Sequence, residues 1–544
     1  MSNPVTRQVF FLTGVFFAIW LVLLASGRQS MLRDPGTFWH VTTGQRILDS
    51  GGVPRVDPYS FTRAGQPWVD DQWLAECGMA WLYHRLGWDG LLLATATLLA
   101  VTYTWLAARL VGAGLHALPA LLLLAVAILA GAPQFHLRPL VLTLGLFGLT
   151  FAMLVDVEAG RHRRRQLGWL VPLFVFWANG HGGVLAGLGT VALCVGGWCV
   201  VWLNLGSAGV PPAMRNLHEP PAIRNAGETP ALLLLVVTLA LATLVNPYGL
   251  RLPEEWWTTL SMPLPEIINE HARLPLGESV GWATLSLAAV FGCVLLGTRR
   301  GQSHFCGDHT TAWYLPQKSG HSLPRLRVTW LVPLVWFVLA LQRVRNAPLF
   351  AVAATIALAD ALPHCRLGEW LARHGMFSPP DRPAVKPGRR AWLGLVPPLA
   401  AVTVAFAIQF AGIAVPIIGR GWVRFDPARW PMDLLPALEA IDRSGPQGTP
   451  IFNDLNFGGF LIAHTPRLRV FVDDRCSVYG SDFLLAYERA RREDPARIDG
   501  WRRQYGFRYA LVESRGRFDR YLTGNRWALI GRSPAAALYQ FGGK

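Results

Sequence analysis

A long uncharged apolar run lies near the start of the chain: VFFLTGVFFAIWLVLLASG, residues 9–27. A helix of roughly 20 such residues is long enough to cross a bilayer. Runs of comparable length follow at 88–110, 139–156, 183–204, 279–297 and 393–419, and shorter ones at 117–131, 167–179, 231–246, 328–342 and 346–362. The pattern predicts an α-helical polytopic membrane protein with about eleven transmembrane helices.

The composition of the 544-residue chain agrees with a membrane protein, since 52% of its residues are hydrophobic and 15% are charged. Soluble domains carry roughly 25% charged residues. This balance excludes a disordered chain, a coiled coil and a cytosolic enzyme. The net charge of +16 comes mainly from arginines in short segments between apolar runs, which favours a membrane topology over nucleic-acid binding.

The positions of the arginines predict the orientation, because short cytoplasmic loops of membrane proteins are rich in Arg and Lys. With the N-terminus inside, the inside loops contain Arg161 and Arg163 to Arg165, Arg299 and Arg300, and the basic residues from Arg366 to Arg390. The C-terminal part of the chain then lies outside. The first run also has a feature of a signal peptide, since Arg7 precedes it, but it lacks an Ala-x-Ala-like cleavage site and we expect a retained helix.

Polar motifs fall at the outer ends of the predicted spans. They comprise Asp34 and His40, Asp70 and Asp71, His136 and Arg138, Asn179 and His181, Asn246 and Tyr248, and Arg343, Arg345 and Asn346. Polar groups at membrane depth are costly and mostly line cavities or functional sites. Because several loops contribute polar residues to one side of the membrane, the sequence predicts an extracytoplasmic active or binding surface.

The first outside loop, residues 28–87, is too long for a simple connector and contains a candidate membrane-surface helix at 37–49. Asp34 follows the first span directly and precedes this helix. In that position a carboxylate is either a helix cap or a general base held at the membrane surface. The residues alone leave both alternatives open.

Two further outer motifs carry acid/base candidates. Asp70 and Asp71 are adjacent, so in a helix their side chains diverge by about 100° and at most one faces the same cavity as Asp34. Asp71 also precedes an apolar-periodic stretch, where an N-cap is the alternative. In FWANGHGG, residues 176–183, glycines break the apolar stretch around His181, which is either an acid/base group or a hydrogen-bonded residue of the membrane interface.

Two arginines lie in the short outer turn QRVRN, residues 342–346, with no acid beside them. Arg343 and Arg345 are costly in such a turn unless they meet an anion, for which a phosphate or diphosphate and the lipid headgroups are the alternatives. The same interpretation applies to Arg138. The motif LVNPYG, residues 244–249, is instead typical of a helix end.

A change of pattern divides the chain into a transmembrane domain, residues 1–424, and a tail, residues 425–544. In the tail, PIFND, RVFVD, RYALVE and WALIG are short strand patterns, and residues 482–492 and 496–505 are helical. This alternation predicts a small extracytoplasmic α/β domain.

The tail has polar residues at the end of one predicted strand but no catalytic signature. Asp473, Asp474 and Arg475 follow this strand at its carboxyl end, where sites of α/β sheets are common. The sequence contains no phosphate loop, nucleophile elbow or zinc-binding spacing. The sequence of the tail therefore predicts its fold but indicates no reaction.

The order of these features resembles the GT-C superfamily, the membrane glycosyltransferases that use lipid-phosphate sugars and include protein mannosyltransferases and aminoarabinose transferases. The shared features are a carboxylate after the first span, a long outer loop, many short-looped spans and an outer C-terminal domain. DPGTFWHVTTGQRI, LRPLVLTLGL, WANGHGG, NPYG, RNAPLFA, FNDLNFGGFLI and VFVDDR are also similar to bacterial glycosyltransferase-like multi-pass membrane proteins.

The resemblance implies inverting transfer of a sugar from a polyprenyl-phosphate donor to an acceptor outside the bacterial inner membrane. Asp34 occupies the place of the acid that acts as base on the acceptor hydroxyl. The other candidate catalytic residues are then Asp71, Asp70 and His181, and the donor phosphate is assigned to Arg138, Arg343 and Arg345. A sugar phosphate between Asp34 and a guanidinium group would separate them by roughly 6 to 12 Å, with the base within hydrogen-bond reach of its proton.

Two features depart from the better-known members of that superfamily. Asp34 is followed by Pro35 and not by a second acid, and WVDDQW, residues 68–73, stands in place of a Lys-Pro-Pro stretch before the second span. A divalent cation at Asp34 would therefore need Asp70 or Asp71 as its partner, and no cofactor is assigned beyond that candidate cation.

Two other classes of function remain as alternatives. A transporter or flippase of lipid-linked solutes would place ionisable groups near the bilayer midplane, often in repeated halves, whereas this sequence has no evident repeat and its polar motifs gather on one side. A non-catalytic membrane scaffold with an envelope-facing binding domain is favoured if the acids of the first loop serve as helix caps.

Overall fold

The computed structural model describes residues 4–207, 229–263, 271–298, 326–378 and 392–542. The predicted inside residues Arg299 and Arg300, and the basic residues from Arg382 to Arg390, lie outside these ranges.

The first part of the chain is helical. Its helices within the described ranges are α1 (Pro4–Ser30), α2 (Gly36–Ser50), α3 (Trp73–Gly112), α4 (Ala117–Gly131), α5 (Leu140–Glu158), α6 (Leu170–Gly180), α7 (Val184–Ser207), α8 (Thr229–Ala242), α9 (Arg251–Ser261), α10 (Ser279–Leu296), α11 (Val332–Gln342), α12 (Ala347–Ala361), α13 (Arg366–Arg373) and α14 (Val396–Phe410). Every predicted apolar span coincides with one of them.

Within the described residues, seven helices are long and apolar enough to cross a membrane by length and composition. They correspond to α1, α3, α4, α5, α7, α10 and α12 with their short extensions. The prediction of a multi-pass helical membrane protein is thus confirmed. The remaining predicted spans form shorter helices, such as α8, α11 and α14, so the count of about eleven crossings stays a prediction.

The centre of the bundle is α12, in which every residue from Ala347 to Ala361 is buried. Its many alanines present little side-chain bulk, which lets neighbouring helices approach closely. The long helix α3 contains a break at Gly87, whose φ of 66° is accessible to glycine without strain. This break separates the segment 73–86 from the apolar stretch that the sequence predicts as the second span.

Contacts between loops divide the bundle into two polar ends. At one end Arg138 pairs with Asp34, and the backbone N–H of Val344 donates to the carbonyl of Ala272. At the other end Arg161 pairs with Asp360 at 2.6 Å. This grouping is the one expected if the predicted spans alternate in direction, and the membrane side that each end faces stays a prediction.

The tail forms the predicted α/β domain around a five-stranded sheet. Its strands are β1 (Thr449–Asn453), β2 (Leu468–Val470), β3 (Tyr509–Glu513), β4 (Trp527–Arg532) and β5 (Ala536–Phe541), in the order β2-β1-β3-β5-β4. β1 pairs in parallel with β2 and with β3, whereas β5 pairs antiparallel with β3 and β4. The helices around the sheet are α15 (Leu435–Ser444), α16 (Gly458–His464), α17 (Cys476–Tyr479), α18 (Ser481–Arg492), α19 (Arg497–Tyr505) and α20 (Arg517–Thr523).

The first loop packs between the helical bundle and the tail. Phe38 and Trp39 of α2 are buried in the same apolar cluster as Trp430 and Phe460 of the tail. On its other side α2 touches α3 so closely that a methyl group on Gly44 would overlap with the carbonyl oxygen of Glu76. The predicted helix at 37–49 therefore exists, but protein and not lipid covers its apolar side.

A buried arginine fastens the tail to this loop. Arg475 pairs with Asp57 of the loop at 2.9 Å and with Asp473 of the tail at 2.7 Å. Its guanidinium group also lies over the rings of Tyr59 and Trp68, at 4.9 and 4.6 Å from their centroids. These contacts fix the carboxyl edge of the sheet, where β2 ends, against the loop that follows α2.

Candidate active site

Asp34 lies in the short connection between α1 and α2 and is only 8% exposed. Its Oδ1 accepts a hydrogen bond from the backbone N–H of Gly36 at 2.7 Å, and its Oδ2 accepts one from Arg138 Nη1 at 2.7 Å. The first bond satisfies a backbone N–H at the start of α2, which a helix cannot satisfy internally. The second is a charge-assisted bond to the outer turn that precedes α5.

The turn that carries Arg138 is tied to the end of α1. The backbone N–H of Leu137 donates to the carbonyl of Met31 at 3.0 Å, and His136 occupies the same turn. The sequence placed Asp34 and Arg138 on one side of the membrane but expected a sugar-sized gap between them. In the structure the two side chains are in contact, because the turn docks directly on the residues before Asp34.

A second carboxyl group reaches Asp34 from the tail. Asp474 follows β2, and its Oδ1 accepts a hydrogen bond from Trp39 Nε1 at 2.8 Å. A methyl group on Gly36 would lie 2.8 Å from Asp34 Oδ1, 2.9 Å from Asp474 Oδ2 and 3.3 Å from His40 Nε2. Three polar side chains thus converge on the bare Cα of Gly36.

The carboxyl groups of Asp34 and Asp474 are close enough for the charge of one to affect the pKa of the other. Burial raises the pKa of Asp474 to about 7, and the negative charge of Asp34 contributes to the rise, whereas Arg138 opposes it. Two neighbouring carboxyl groups resist ionising together, so one of them keeps a proton under conditions in which the other is charged. Near neutral pH, Asp474 is therefore the member of the pair that gains or loses a proton.

His40 lies beside this pair and is completely buried. Its Nδ1 is 2.6 Å from Glu76 Oε1, while Nε2 faces the carboxyl pair near Gly36. Burial lowers the pKa of His40 well below its usual value, and the positive charge of Arg138 acts in the same direction. The imidazole is therefore neutral at physiological pH, with one nitrogen on Glu76 and the other directed at the site.

Asp70 extends this buried polar line. Its side chain lies beside that of Glu76, and its Oδ1 accepts from the backbone N–H of Gln72 at 3.2 Å. Burial raises the pKa of Asp70 to about 6, and the charge of Asp71 contributes. Asp70, Glu76 and His40 thus form a continuous line of titratable groups that ends at Asp34 and Asp474.

Asp71 points elsewhere, as the divergence of adjacent side chains predicts. A methyl group on Gly182 would overlap with Asp71 Oδ2 and lie 3.4 Å from Trp256 Nε1. Burial raises the pKa of Asp71, and the positive charge of Arg345 opposes the rise. The N-cap alternative is wrong, because α3 begins after Gln72 without a side-chain cap.

His181 and Asn179 stabilise the break between α6 and α7. His181 Nδ1 accepts from the backbone N–H of Gly183 at 2.8 Å and lies 3.0 Å from Thr143 Oγ1. Asn179 accepts from Trp73 Nε1 at 2.9 Å and donates to the carbonyls of Val175 and Val245, both at 2.8 Å. The charge of His181 also acts on His40, so the break lies within electrostatic reach of that imidazole.

Asn246 and Tyr248 serve the fold, as their motif predicts. Asn246 Oδ1 accepts from the backbone N–H of Tyr248 at 2.7 Å, and its amide donates to the carbonyl of Thr243 at 2.8 Å. The Tyr248 hydroxyl donates to the carbonyl of Pro54 at 2.8 Å. The motif therefore ends α8 and binds the first loop.

The turn between α11 and α12 holds the two predicted phosphate-binding arginines. Arg345 contacts His271, and Asn346 donates to the carbonyl of Leu339 at 3.1 Å across the turn. Among the described residues, the half-buried Arg343 side chain has no hydrogen-bond or ion-pair partner. The structure brings Arg345 near Asp71, whereas Arg138 alone of the three arginines touches Asp34.

The candidate cation has no assembled ligand set in the part of the chain that the structure describes, where no group of three or more His, Cys, Asp or Glu residues is arranged to hold a metal. Both Asp34 oxygens have protein partners, and Asp70 turns toward Glu76. The arrangement does not fit the metal partnership that the sequence suggested.

Two members of the site were missed from the sequence. Asp474 carried a signal, since VFVDDR places acids at the carboxyl end of a strand, but nothing in the sequence pairs it with Asp34 across 440 residues. The sequence signal for Glu76 was weaker: Glu76 is an acid within the otherwise apolar first turns of α3.

Comparisons with known proteins add a likeness of fold. No protein-family model and no curated protein matches the chain. Among solved structures, ArnT from Cupriavidus metallidurans bound to undecaprenyl phosphate is similar with a TM-score of 0.48 and 15% identity, over 99% of this chain and 98% of that one.

An oligosaccharyltransferase of Archaeoglobus fulgidus is similar as well. Its apo form has a TM-score of 0.48 and 10% identity, over 94% of this chain and 69% of that one. The form tethered to an acceptor peptide with the NVT sequon has a TM-score of 0.49 and 11% identity, over 93% and 69%.

Proposed function

We propose that this chain is an integral-membrane glycosyltransferase that moves a sugar from a polyprenyl-phosphate-linked donor to an acceptor outside the bacterial inner membrane, with inversion at the anomeric carbon. One observation carries the proposal: the buried Asp34 contacts Arg138 and packs beside Asp474 at one polar end of an apolar helix bundle. A base and a phosphate-binding cation are the groups that this reaction requires, and Asp34 and Arg138 supply them.

In the proposed step, Asp34 accepts the proton of the acceptor hydroxyl while that oxygen attacks the anomeric carbon. The bond between this carbon and the phosphate oxygen breaks, and its electron pair leaves with the polyprenyl phosphate. Arg138 balances the charge of the leaving phosphate, because guanidinium groups bind phosphate with paired hydrogen bonds. Arg138 must then move from Asp34 to the phosphate, which frees Asp34 Oδ2 for the acceptor.

The surrounding groups have supporting roles in this proposal. Asp474, with its pKa of about 7, takes up a proton next to Asp34 and limits the negative charge of the pair. His40 holds its orientation through Glu76. Arg345, near Asp71, is the candidate for a second contact to the donor, and Arg343 lies in the same turn.

The membrane scaffold remains a second candidate, because one observation favours it. Both oxygens of Asp34 already have protein partners, and one of those partners is the first backbone N–H of α2. A cavity of about 610 Å³ lies along α2, but its lining includes Thr42, Arg46 and His84 and not Asp34. On this alternative Asp34 stabilises the junction of the loop and the tail and performs no chemistry.

The substitution Asp34→Asn separates the two functions. The amide oxygen can still accept from Gly36, so the fold is retained, but the base is lost. We expect donor consumption by the full-length protein in nanodiscs to fall by about 100-fold or more, measured with a panel of radiolabelled polyprenyl-phosphate sugars. The matched control is Asp49→Asn, because Asp49 is an exposed acid on α2, the helix that follows Asp34.

Each outcome assigns the role of Asp34. Loss of donor consumption with an unchanged unfolding temperature supports the transferase. If the variant consumes donor at the wild-type rate, Asp34 is not the base. A variant that unfolds early, together with a wild-type protein that consumes no donor of the panel, favours the scaffold.

A further inference from the structure

The carboxyl edge of the tail's sheet contains a second cavity, distinct from the Asp34 site. It has a volume of about 440 Å³, within the range of roughly 300–1,000 Å³ that is usual for small-molecule sites. The charged residues that line it are Asp454, Arg491, Arg492, Glu513, Arg517 and Arg520. Four guanidinium groups thus face two carboxyl groups.

The strand order places this cavity where α/β sheets bind ligands. β1 continues to β2 on one side, and the chain then crosses to form β3 on the other side of β1. Connections that leave in opposite directions open a crevice at the carboxyl ends of the strands. Asp454 directly follows β1 and Glu513 ends β3, so the cavity lies at this crevice.

The floor of the cavity is rigidly built. Asp454 is 4% exposed, accepts from the Tyr487 hydroxyl at 2.8 Å and accepts from the backbone N–H of Glu513 at 2.7 Å. Burial raises the pKa of Asp454 to about 6, and the charge of Glu513 contributes. Beside it, Arg515 has a φ of 62°, a left-handed conformation that non-glycine residues rarely adopt and that is found more often at functional sites.

The walls differ in how far their charges are neutralised. Arg491 and Arg492, on α18, both pair with Glu488. Arg517 and Arg520, on α20, are exposed, and among the described residues their side chains have no ion-pair or hydrogen-bond partner. Glu513 lies 3.9 Å from Arg491 and accepts a hydrogen bond from Asn456 at 3.3 Å. The wall formed by α20 therefore offers two cations that no described side chain neutralises.

We propose that this cavity is a binding site for a small phosphate ester of a polyol or sugar, whose phosphate binds Arg517 and Arg520 and whose hydroxyl groups donate to Glu513 and Asp454. Guanidinium groups suit phosphate because they form paired, charge-assisted hydrogen bonds. Carboxylates suit sugar hydroxyls because they accept their hydrogen bonds. The site does not depend on the proposed transferase activity.

The test measures binding to the full-length protein in detergent by calorimetry, with glycerol 3-phosphate, inorganic phosphate and uncharged glycerol as probes. We expect glycerol 3-phosphate to bind most tightly and glycerol not at all. The double substitution Arg517→Gln with Arg520→Gln should weaken phosphate binding by about tenfold or more. Since both side chains are exposed and unpaired within the described structure, the unfolding temperature should not change.

The matched control is Arg489→Gln with Arg503→Gln, which removes two exposed arginines of the same domain outside the cavity lining. It should keep wild-type affinity. The proposal is overturned if the wild type binds neither phosphate probe at millimolar concentration, or if both double variants lose affinity equally. If phosphatidylglycerol nanodiscs compete and phosphatidylcholine nanodiscs do not, the phosphate that binds this site belongs to a lipid headgroup. If only the soluble ester competes, the site binds a free phosphate ester.

Discussion

The convergence of three polar side chains on Gly36 gives a sharp prediction for Gly36→Ala. The added methyl group would lie 2.8 and 2.9 Å from the nearest oxygens of Asp34 and Asp474, closer than carbon and oxygen normally approach. One or both carboxyl groups must therefore move by a few tenths of an ångström. The backbone of Gly36 is helical, so alanine itself causes no strain there.

The magnitude follows from two opposing terms. Overpacking a buried site costs about 1–3 kcal/mol, and replacing a helical glycine by alanine returns roughly 0.5–1 kcal/mol. The free energy of unfolding should therefore fall by between about 0 and 2.5 kcal/mol. Donor turnover should fall much further, by about tenfold or more, because small displacements of catalytic groups are costly in rate.

The assay compares donor turnover and thermal unfolding of Gly36→Ala with those of Gly78→Ala. Gly78 lies on α3, and a methyl group there meets nothing within 4 Å. The control should keep its turnover and be slightly stabilised. If Gly36→Ala turns over donor as fast as Gly78→Ala, the reasoning that joins Asp34, Asp474 and His40 into one site is refuted.

Two further predictions concern titration and docking. Since Asp474 has a pKa of about 7 in the folded chain against roughly 3.9 unfolded, its stabilising contribution is complete below about pH 4 and is lost as the pH rises through about 7. The unfolding temperature of the wild type should therefore fall relative to that of Asp474→Asn over that range, because only the wild type titrates at this position; a constant difference would contradict the raised pKa. Arg475→Met leaves Asp57 and Asp473 buried without their cation and should cost about 3–5 kcal/mol in thermal unfolding, whereas the exposed Arg443→Gln should cost less than about 1 kcal/mol. Equal costs would show that Arg475 does not fasten the tail.

The membrane helices could be predicted from the sequence because apolar length is a local property. The run at 9–27 predicts α1, and the break at Gly87 falls where the sequence begins its second span. Four of the five strands of the tail were also predicted, since their alternation is local as well, whereas β5 was missed. What hydropathy could not predict is which surface covers an amphipathic helix, and α2 packs under the tail and not on lipid.

The site was also predictable in part, because the position of a polar residue at the end of an apolar run is a local property of the sequence. Asp34 and Arg138 are identifiable because each sits at the outer end of a predicted span. Their direct contact was not predictable, because sequence order contains no distances between loops. Asp474 was beyond prediction as a partner of Asp34, since the docking of Arg475 on Asp57 decides where the end of β2 lies.

The most direct test of the account is a structure of the full chain determined with polyprenyl phosphate bound. The proposal predicts that the phosphate lies within hydrogen-bond distance of the Arg138 guanidinium group and that Arg138 has left Asp34, whose carboxylate then faces the phosphate. A structure in which the phosphate binds elsewhere while Asp34 and Arg138 remain paired at 2.7 Å would contradict it.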